Sequence, residues 1–263
     1  MVKFCPLVSG SDGNSVYIGT EYTNILIDAG LSGKKIEEEL SKVNVIAERL
    51  DGIFVTHEHS DHVQSVGILS RRYDLPVYAT EGTWEAMDKP LGKIARKNRR
   101  VIYCGEKMEF NDLIINSFGI PHDAAEPVGY SIIANSVKMS VATDIGHITE
   151  DIKEGIADSD ILLIEANHDV EMLKAGAYPY SLKQRILSDI GHLSNANAGK
   201  ILAEMATSKL KHVFLGHLSH ENNRPELAYK TVENFLYENR LHVGKDFHME
   251  IARRKEVSRL IQM

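Results

Sequence analysis

The chain has 263 residues, of which 43% are hydrophobic and 25% are charged, a composition typical of a globular protein with a substantial core. Its formal net charge of −7 argues against a protein that coats nucleic acid nonspecifically, because such binding depends on concentrated positive charge. No apolar run approaches the roughly 18–20 residues of a membrane helix, and the first residues lack a signal-peptide pattern. We therefore expect a cytoplasmic protein that does not contact a membrane.

Short β-branched runs alternate with segments whose apolar residues recur at helical spacing. The pattern predicts strands, in chain order, at 16–19, 24–30, 52–56, 76–80, 112–118, 129–134, 137–143, 160–166 and 212–217. It predicts helices at 32–43, 63–73, 80–88, 195–208 and 225–238, several of which begin with Ser, Thr, Asn or Pro. The segment SGSDGN at 9–14 predicts a tight turn between two early strands. This mixture predicts a layered α/β (α+β) architecture.

No low-complexity linker divides the chain. The segment at 89–100 is the best candidate for a seam, after which strand-rich sequence begins again. We expect two similar halves packed as one domain over residues 1–263. The two cysteines, Cys5 and Cys104, are too few for a disulfide framework, and we expect both to be packed as small hydrophobic side chains.

Two segments are rich in positive charge. KIARKNRR at 93–100 and ARRKEVSRL at 252–260 carry the following cations: Lys93, Arg96, Lys97, Arg99, Arg100, Arg253, Arg254, Lys255 and Arg259. A basic run is usually a solvated surface, and this reading applies to both segments.

The stretch THEHSDHV at 56–63 crowds four metal-ligand side chains into six positions directly after a predicted strand. In an extended turn His57 and His59 point the same way, so both imidazoles can face one cation. Asp61 and His62, near the start of the next helix, can turn toward a second cation. Packing alone does not explain this cluster, because buried imidazoles and carboxylates are costly unless they are paired or coordinated.

Each metal needs more ligands than this stretch supplies, and three later strands are followed by suitable side chains. His122 follows the strand at 112–118, Asp144 follows the strand at 137–143, and His217 ends the strand at 212–217. Sites in layered α/β proteins gather at such strand ends. The sequence therefore predicts a two-metal hydrolytic site.

The motif THEHSDH, with ILIDAG upstream and His122, Asp144 and His217 downstream, resembles the metallo-β-lactamase superfamily over nearly the whole chain. The resemblance implies a four-layer αββα sandwich with two divalent metal ions, Zn²⁺ or Mn²⁺. It implies that His57, His59 and His122 bind one metal, that Asp61, His62 and His217 bind the other, and that Asp144 bridges them. Asp28 in ILIDAG would orient the ligand loop.

Two further motifs are similar to segments of the transfer-RNA 3′-processing phosphodiesterases. GHLSNANAG places His192 as the proton donor to the leaving oxygen, and LLIEANHD places Glu165 to orient that histidine. With Asp61 these residues would form the catalytic group. The pairing is chemically reasonable, because an alkoxide needs a general acid and a carboxylate fixes the imidazole tautomer.

The chain lacks an obvious flexible arm for transfer RNA, and the full motif set, with SGSDGNS and LGHLSHENN, looks most like the YycJ/WalJ group of bacteria. That resemblance implies a 5′ to 3′ exonuclease acting on double-stranded DNA. On this interpretation the segment 93–100 becomes a candidate track for the phosphate backbone. His147, His168 and His220 lie near the motifs and receive no assigned chemistry.

Three alternatives stay open at this point. The first is a small-molecule hydrolase of the same fold, such as a thioesterase of the glyoxalase II type, which has less need of a leaving-group acid. The second is an RNA-processing nuclease. The third is a nucleic-acid-binding or regulatory protein whose metals only hold the fold. The sequence leaves open the native metal, the protein partners and the oligomeric state.

Overall fold

The computed structural model describes residues 1–263, which form two seven-stranded sheets. The first sheet contains β1 (Lys3–Val8), β2 (Ser15–Gly19), β3 (Asn24–Ile27), β4 (Gly52–Phe54), β5 (Val77–Ala79) and β6 (Arg99–Val101). The second contains β7 (Lys107–Phe110), β8 (Leu113–Gly119), β9 (Val128–Ala134), β10 (Val137–Ala142), β11 (Ile161–Glu165), β12 (His212–Gly216) and β13 (His248–Ile251). A last strand, β14 (Ile261–Gln262), returns to the first sheet beside β1.

The two sheets repeat one pairing pattern. The first has the order β14-β1-β2-β3-β4-β5-β6, with antiparallel pairs up to β3 and parallel pairs from β3 to β6. The second has the order β7-β8-β9-β10-β11-β12-β13, with antiparallel pairs up to β10 and parallel pairs from β10 to β13. The chain leaves the first sheet after β6, just beyond the predicted seam at 89–100.

Nine α-helices cover the sheets. They are α1 (Gly33–Lys42), α2 (Ser60–Val63), α3 (Val66–Tyr73), α4 (Glu81–Leu91), α5 (Glu150–Ile156), α6 (Val170–Ala175), α7 (Tyr180–Ile186), α8 (Asn195–Met205) and α9 (Pro225–Glu238). Short 3-10 helices lie at Ala47–Arg49 and Arg96–Asn98. Side-chain oxygens of Ser32, Thr80 and Ser194 accept from backbone N–H groups of the first turns of α1, α4 and α8.

Three apolar clusters define four layers. The cluster between the sheets joins Phe4, Ile27 and Phe54 of the first sheet to Tyr130 and Phe214 of the second. A second cluster packs α1, α3 and α4 on the outer face of the first sheet, and a third packs α5, α8 and α9 on the outer face of the second. The predicted αββα sandwich is therefore confirmed.

Every predicted strand and helix has a counterpart, but the pattern missed β1, β6, β7, β13 and β14. The sequence pattern did not predict β1 because this strand contains Pro6, a residue that is unusual within strands. Pro6 lies where the β1–β2 register shifts. The predicted helix at 63–73 is divided, because Ser65 donates from its backbone N–H and its hydroxyl to the Ala29 carbonyl.

The expectation for the cysteines was half wrong, since Cys5 is buried but Cys104 is exposed. None of the helices combines the length and the apolar character that a membrane span requires.

Candidate metal centre and active site

The predicted ligands follow strands that end at one edge of the sandwich. β3 and β4 are parallel and lead into Asp28 and His57. β10, β11 and β12 are parallel and lead into Asp144, Glu165 and His217. β8 runs in the same direction as β10, because each is antiparallel to β9, and it leads toward His122. The topology therefore brings together side chains that are up to 189 positions apart in the chain, from Asp28 to His217.

One group consists of His57, His59 and His122, whose candidate ligand atoms lie within 4.8 Å of one another. The ring centroids of His57 and His59 are 4.6 Å apart, and those of His59 and His122 are 5.1 Å apart. His57 and His122 are buried, whereas His59 is partly exposed. These three imidazoles can hold one cation.

A second group consists of Asp61, His62 and His217, also within 4.8 Å of one another. The Asp61 Oδ2 atom lies 3.6 Å from the Nε2 atoms of both His62 and His217. Asp144 lies between the two groups, with Oδ2 at 3.3 Å from His62 Nε2 and Oδ1 at 3.8 Å from His122 Nε2. All seven ligands named from the sequence therefore surround one small volume.

The buried imidazoles are held through Nδ1, which leaves Nε2 toward the centre. The Nδ1 contacts are His57 with Thr56 Oγ1 (3.0 Å), His62 with Asp28 Oδ2 (2.7 Å), His122 with the Gly191 carbonyl (3.1 Å) and His217 with Glu165 Oε1 (2.8 Å). An oxygen acceptor at Nδ1 is the usual partner of a metal-binding histidine, because it fixes both the tautomer and the ring orientation.

The Nε2 atoms of His57, His122 and His217 are buried and have no hydrogen-bond partner within the protein. Leaving such atoms unpaired costs about 1–3 kcal/mol each. A coordinated cation would remove that cost, and a set of imidazoles with carboxylates suits zinc and also admits manganese. The residues present therefore fit a metal centre.

Three residues at this edge have positive φ: Asp28 (61°), Asp144 (60°) and His217 (54°). This left-handed conformation is uncommon outside glycine and costs on the order of 1–2 kcal/mol. It turns the chain sharply at the end of a strand. The turn directs each side chain toward the site.

Glu165 is fully buried and links the centre to His192. Its Oε1 accepts from His192 Nδ1 at 2.9 Å and from His217 Nδ1 at 2.8 Å. Its Oε2 accepts from the backbone N–H groups of Ile145 at 2.7 Å and Leu193 at 2.9 Å. His192 is 17% exposed, so the predicted proton donor lies beside the metal ligands and is open to solvent.

The electrostatics of this pair follow from these contacts. Burial raises the pKa of Glu165, but the charges and hydrogen bonds of His192 and His217 outweigh burial and lower that pKa to about 2. Burial lowers the pKa of His192, but the charge and hydrogen bond of Glu165 outweigh burial, so the net shift of that pKa is upward. Both shifts favour the charged pair, in which a protonated His192 faces an ionised Glu165.

Sequence reasoning missed three polar residues that support the ligands. Asn14 Nδ2 lies 3.1 Å from His62 Nε2 and 3.4 Å from Asp61 Oδ2. The Thr56 hydroxyl donates to Asp28 Oδ2 at 2.8 Å, and the Ser9 hydroxyl accepts from the His217 backbone N–H at 2.8 Å. Both Ser9 and Asn14 belong to SGSDGN, whose polar residues were read only as a turn.

The basic segment 93–100 does not lie at the edge of the sandwich that carries the predicted ligands. It leads into β6, which begins at Arg99, so it lies at the amino end of the parallel strands whose carboxyl ends carry the ligands. Lys97 forms an ion pair with Asp74, and Arg99 pairs with Asp88. The structure does not bring Lys93, Arg96, Lys97, Arg99 or Arg100 to the ligand edge, and contact with nucleic acid stays a prediction.

The three unassigned histidines differ in their environments. His147 is exposed, with Nδ1 2.8 Å from the Asp189 carbonyl, and His220 is exposed beside Glu221. His168 is buried, neither ring nitrogen has a hydrogen-bond partner, and burial lowers its pKa to about 4. We assign no chemistry to them.

Comparison with known proteins gives the family. The model for the beta-lactamase superfamily domain matches residues 23–217. The chain is 44% identical over 248 residues to exodeoxyribonuclease YycJ of Bacillus anthracis, covering 94% of each protein. This chain belongs to the metallo-β-lactamase superfamily. Within it, the chain groups with YycJ and with exodeoxyribonuclease WalJ of Streptococcus pneumoniae, to which it is 44% identical over 93% of this chain and 92% of WalJ.

Solved structures agree on the fold. The metallo-β-lactamase fold protein YhfI from Bacillus subtilis superimposes with a TM-score of 0.72 at 17% identity, covering 98% of both chains. At this identity the likeness establishes the sandwich architecture and nothing about the reaction.

Proposed function

We propose that this chain is a dinuclear metal-dependent phosphodiesterase that degrades double-stranded DNA in the 5′ to 3′ direction. The observation that carries the proposal is the His192–Glu165 pair at the solvent-open side of the ligand cluster. A proton donor at this position suits a leaving group of high pKa, such as the alkoxide of a phosphodiester. The identity over most of the chain to two proteins named exodeoxyribonucleases supports DNA as the substrate.

In this proposal two divalent cations, Zn²⁺ or Mn²⁺, occupy the two ligand groups. His57, His59 and His122 would hold one, Asp61, His62 and His217 the other, and Asp144 would contact both. When bound, the cations would supply Lewis-acid activation of water and neutralise charge on the phosphate. Asp28 positions His62 through its hydrogen bond to Nδ1.

The protein's own contribution to bond cleavage is proton delivery. With Nδ1 of His192 held by Glu165, its Nε2 is left to carry a proton toward the oxygen that departs from phosphorus. After donation, the neutral imidazole keeps its Nδ1 proton on the buried carboxylate, so its orientation does not change. Glu165 is thus a positioning residue that acts through His192, and it holds His217 in the same way.

The alternatives are less well supported. A thioesterase of the glyoxalase II type has less need of His192, because a thiolate leaves without protonation. A protein whose metals only hold the fold does not explain a solvent-open imidazole paired with a buried glutamate. An assay that compares DNA with RNA distinguishes an RNA-processing nuclease from the proposed exonuclease.

We also propose that residues 1–263 form one domain built from two similar halves. The support is the repeated order of antiparallel and parallel pairs in the two sheets and the return of β14 to the first sheet. The apolar cluster between the sheets takes residues from both halves. A cytoplasmic location remains an expectation from sequence.

The deciding experiment uses duplex DNA labelled at one 5′ end and metal-free protein reconstituted separately with Mn²⁺ or Zn²⁺. We expect early release of labelled mononucleotides or short oligonucleotides. His192→Ala should lower kcat by about 10²–10⁴-fold, while His147→Ala, an exposed histidine outside the cluster, should retain activity. Full activity of His192→Ala, or cleavage of precursor RNA or thioesters but not DNA, would contradict the proposal.

A further inference from the structure

A cavity of about 790 Å³ lies at the same edge of the second sheet as the predicted ligands and is not used by the proposed chemistry. Its wall begins at Ser9 and Leu218, so it starts one residue beyond the ligand His217. The other walls come from the loop before α9, from the start of α9 and from residues 251–256, which include the last residue of β13. The volume is in the range of pockets that hold molecules the size of a nucleotide.

The cavity is rich in cations. Four basic side chains line it, Arg224, Arg253, Arg254 and Lys255, against two carboxylates, Glu226 and Glu256. Arg253 is paired with Glu256 at 2.9 Å, whereas Arg224, Arg254 and Lys255 form no ion pair. The protein as a whole has a net charge of −7, so this local excess of positive charge is distinctive.

The Arg254 side chain forms part of the cavity wall and is held there by the protein. One guanidinium nitrogen, Nη2, donates to the Leu218 carbonyl at 2.6 Å, and Nε is buried without a partner. Its side chain lies across Gly10, where an added Cβ would come within 3.0 Å of Arg254 Cγ and Nε. Gly10 therefore leaves the space that Arg254 occupies, beside the turn that carries Ser9 and Asn14.

Arg224 reaches the cavity from another element. It is exposed and lies immediately before α9, which begins at Pro225. The positive end of the dipole of this 14-residue helix thus lies at the same cavity. Two arginines from separate elements and one helix end converge on a common space.

We propose that this cavity binds a phosphate group of the nucleic-acid strand, with Arg254 and Arg224 as the main contacts. The inference rests on the proposed function and deepens it by naming where the strand is held beside the metal centre. Arginine suits this task because its planar fork can donate two hydrogen bonds to one phosphate. The phosphate is either an internal phosphodiester or a terminal 5′-phosphate.

The test measures binding without cleavage. Metal-free protein is titrated against fluorescent duplex DNA that ends in a 5′-phosphate or a 5′-hydroxyl. Arg224→Ala and Arg254→Ala should each raise Kd by roughly tenfold and reduce the dependence of log Kd on log salt by about one. Arg49→Ala is the matched control, an exposed arginine in the 3-10 helix that precedes β4. Loss of affinity with both ends identifies an internal phosphodiester, and loss only with the 5′-phosphate identifies the terminal group.

Two of the variants separate an effect on binding from an effect on folding. Arg224 is exposed, so its replacement leaves the core intact. Gly10→Ala keeps every charge but requires the Arg254 side chain to shift by a few tenths of an ångström, and it should weaken binding in the same sense as Arg254→Ala but by less. The phosphate-site inference would be overturned if Arg224→Ala and Arg254→Ala had Kd values within twofold of that of Arg49→Ala while the protein still degraded DNA. The proposed nuclease function would then stand. Wild-type protein that neither binds nor degrades DNA would overturn both.

Discussion

Glu165 shows how one residue can serve both parts of the site. Its carboxylate accepts four hydrogen bonds, two of them from backbone N–H groups. The other two hold the rings of His217, which faces the centre, and His192, which is partly exposed. The sequence placed this glutamate at a strand end and the resemblance gave it one partner, His192. The second partner, His217, is 52 positions away in the chain and became evident only when β11 and β12 paired.

Asp61 is the ligand best suited to a substitution test, because its side chain is 23% exposed and few other contacts depend on it. We expect Asp61→Ala to lower activity by more than about 100-fold, since the group formed with His62 and His217 would lose its carboxylate ligand. Metal content measured by mass spectrometry should fall from two equivalents to about one, with unchanged circular dichroism. Asp88→Ala, on the surface of α4, serves as the control. Wild-type turnover by Asp61→Ala would rule out a two-metal mechanism.

At the scale of elements, the loop after β3 is packed against the loop after β4. The Ala29 N–H donates to the His62 carbonyl, and Gly30 faces the backbone of Asp61. A Cβ on Gly30 would lie 1.6 Å from the Asp61 carbonyl oxygen, a distance that no backbone tolerates. ILIDAG therefore contributes shape to the site as well as the Asp28 carboxylate.

Gly30→Ala should displace the Asp61–His62 segment. We expect kcat to fall by at least about 100-fold, because misplacing a catalytic group by about 1 Å can reduce the rate by that factor. Gly33→Ala, three residues later, meets only side-chain atoms, the nearest being Ile68 Cγ2 at 3.3 Å, and should remain active. Kinetics on labelled duplex and metal content should be measured for both. Equal activity of the two variants would show that the loop contact has no role in placing the ligands.

The α1 helix is tied to the C-terminal segment by Glu39. Its buried carboxylate accepts from Lys35 at 2.6 Å, from Lys42 at 2.8 Å and from the Val257 backbone N–H at 3.0 Å. Burial raises the pKa of Glu39, but the hydrogen bonds of Lys35 and Lys42 outweigh burial and lower that pKa below its ordinary value of 4.5. A carboxyl group with a depressed pKa stabilises the folded state only while it is ionised.

Glu39→Gln should lower the free energy of unfolding by about 1–2 kcal/mol at neutral pH, a value reduced because both lysines are partly exposed. The difference from wild type should shrink as pH falls from about 4.5 through the lower folded-state pKa. Urea denaturation at neutral pH and at about pH 4 measures this. Glu38→Gln, half exposed on the same helix, should show little change at either pH. A pH-independent difference would mean that the charge of Glu39 is not the cause.

For the whole molecule, the centre joins the two halves of the sandwich. His57, His59, Asp61 and His62 follow a strand of the first sheet, whereas His122, Asp144 and His217 follow strands of the second. Each ligand group of three takes residues from both sheets. Bound cations would therefore stabilise the packing of one half against the other.

Removal of metal should lower the thermal midpoint. A site filled at 100 times its Kd contributes about 2.7 kcal/mol, which for a chain of this size corresponds to roughly 5–10 °C. The protein should be melted after dialysis against chelator and again after addition of Zn²⁺ or Mn²⁺, with Mg²⁺ as a comparison. An unchanged midpoint would contradict metal binding by these buried imidazoles.

Much of the architecture followed from local pattern. The buried strands and amphipathic helices were predicted within a few residues, and α9 has the predicted bounds, 225–238, because Pro225 and the apolar period mark it clearly. The edge strands β6, β7 and β14 were missed, since short exposed strands carry little apolar alternation.

The sequence by itself determined the chemistry of the site: the residue types of THEHSDH and the histidines and carboxylates at strand ends specify a metal centre, because few other roles justify such side chains in a core. Tertiary structure decided which of them meet. It paired Glu165 with His217, brought Asn14 to Asp61 and His62, and placed the basic segment 93–100 at the amino end of its strand. It also gathered Arg224 and Arg254 around one cavity. Local pattern cannot encode these contacts, because they depend on strand order and direction across both sheets.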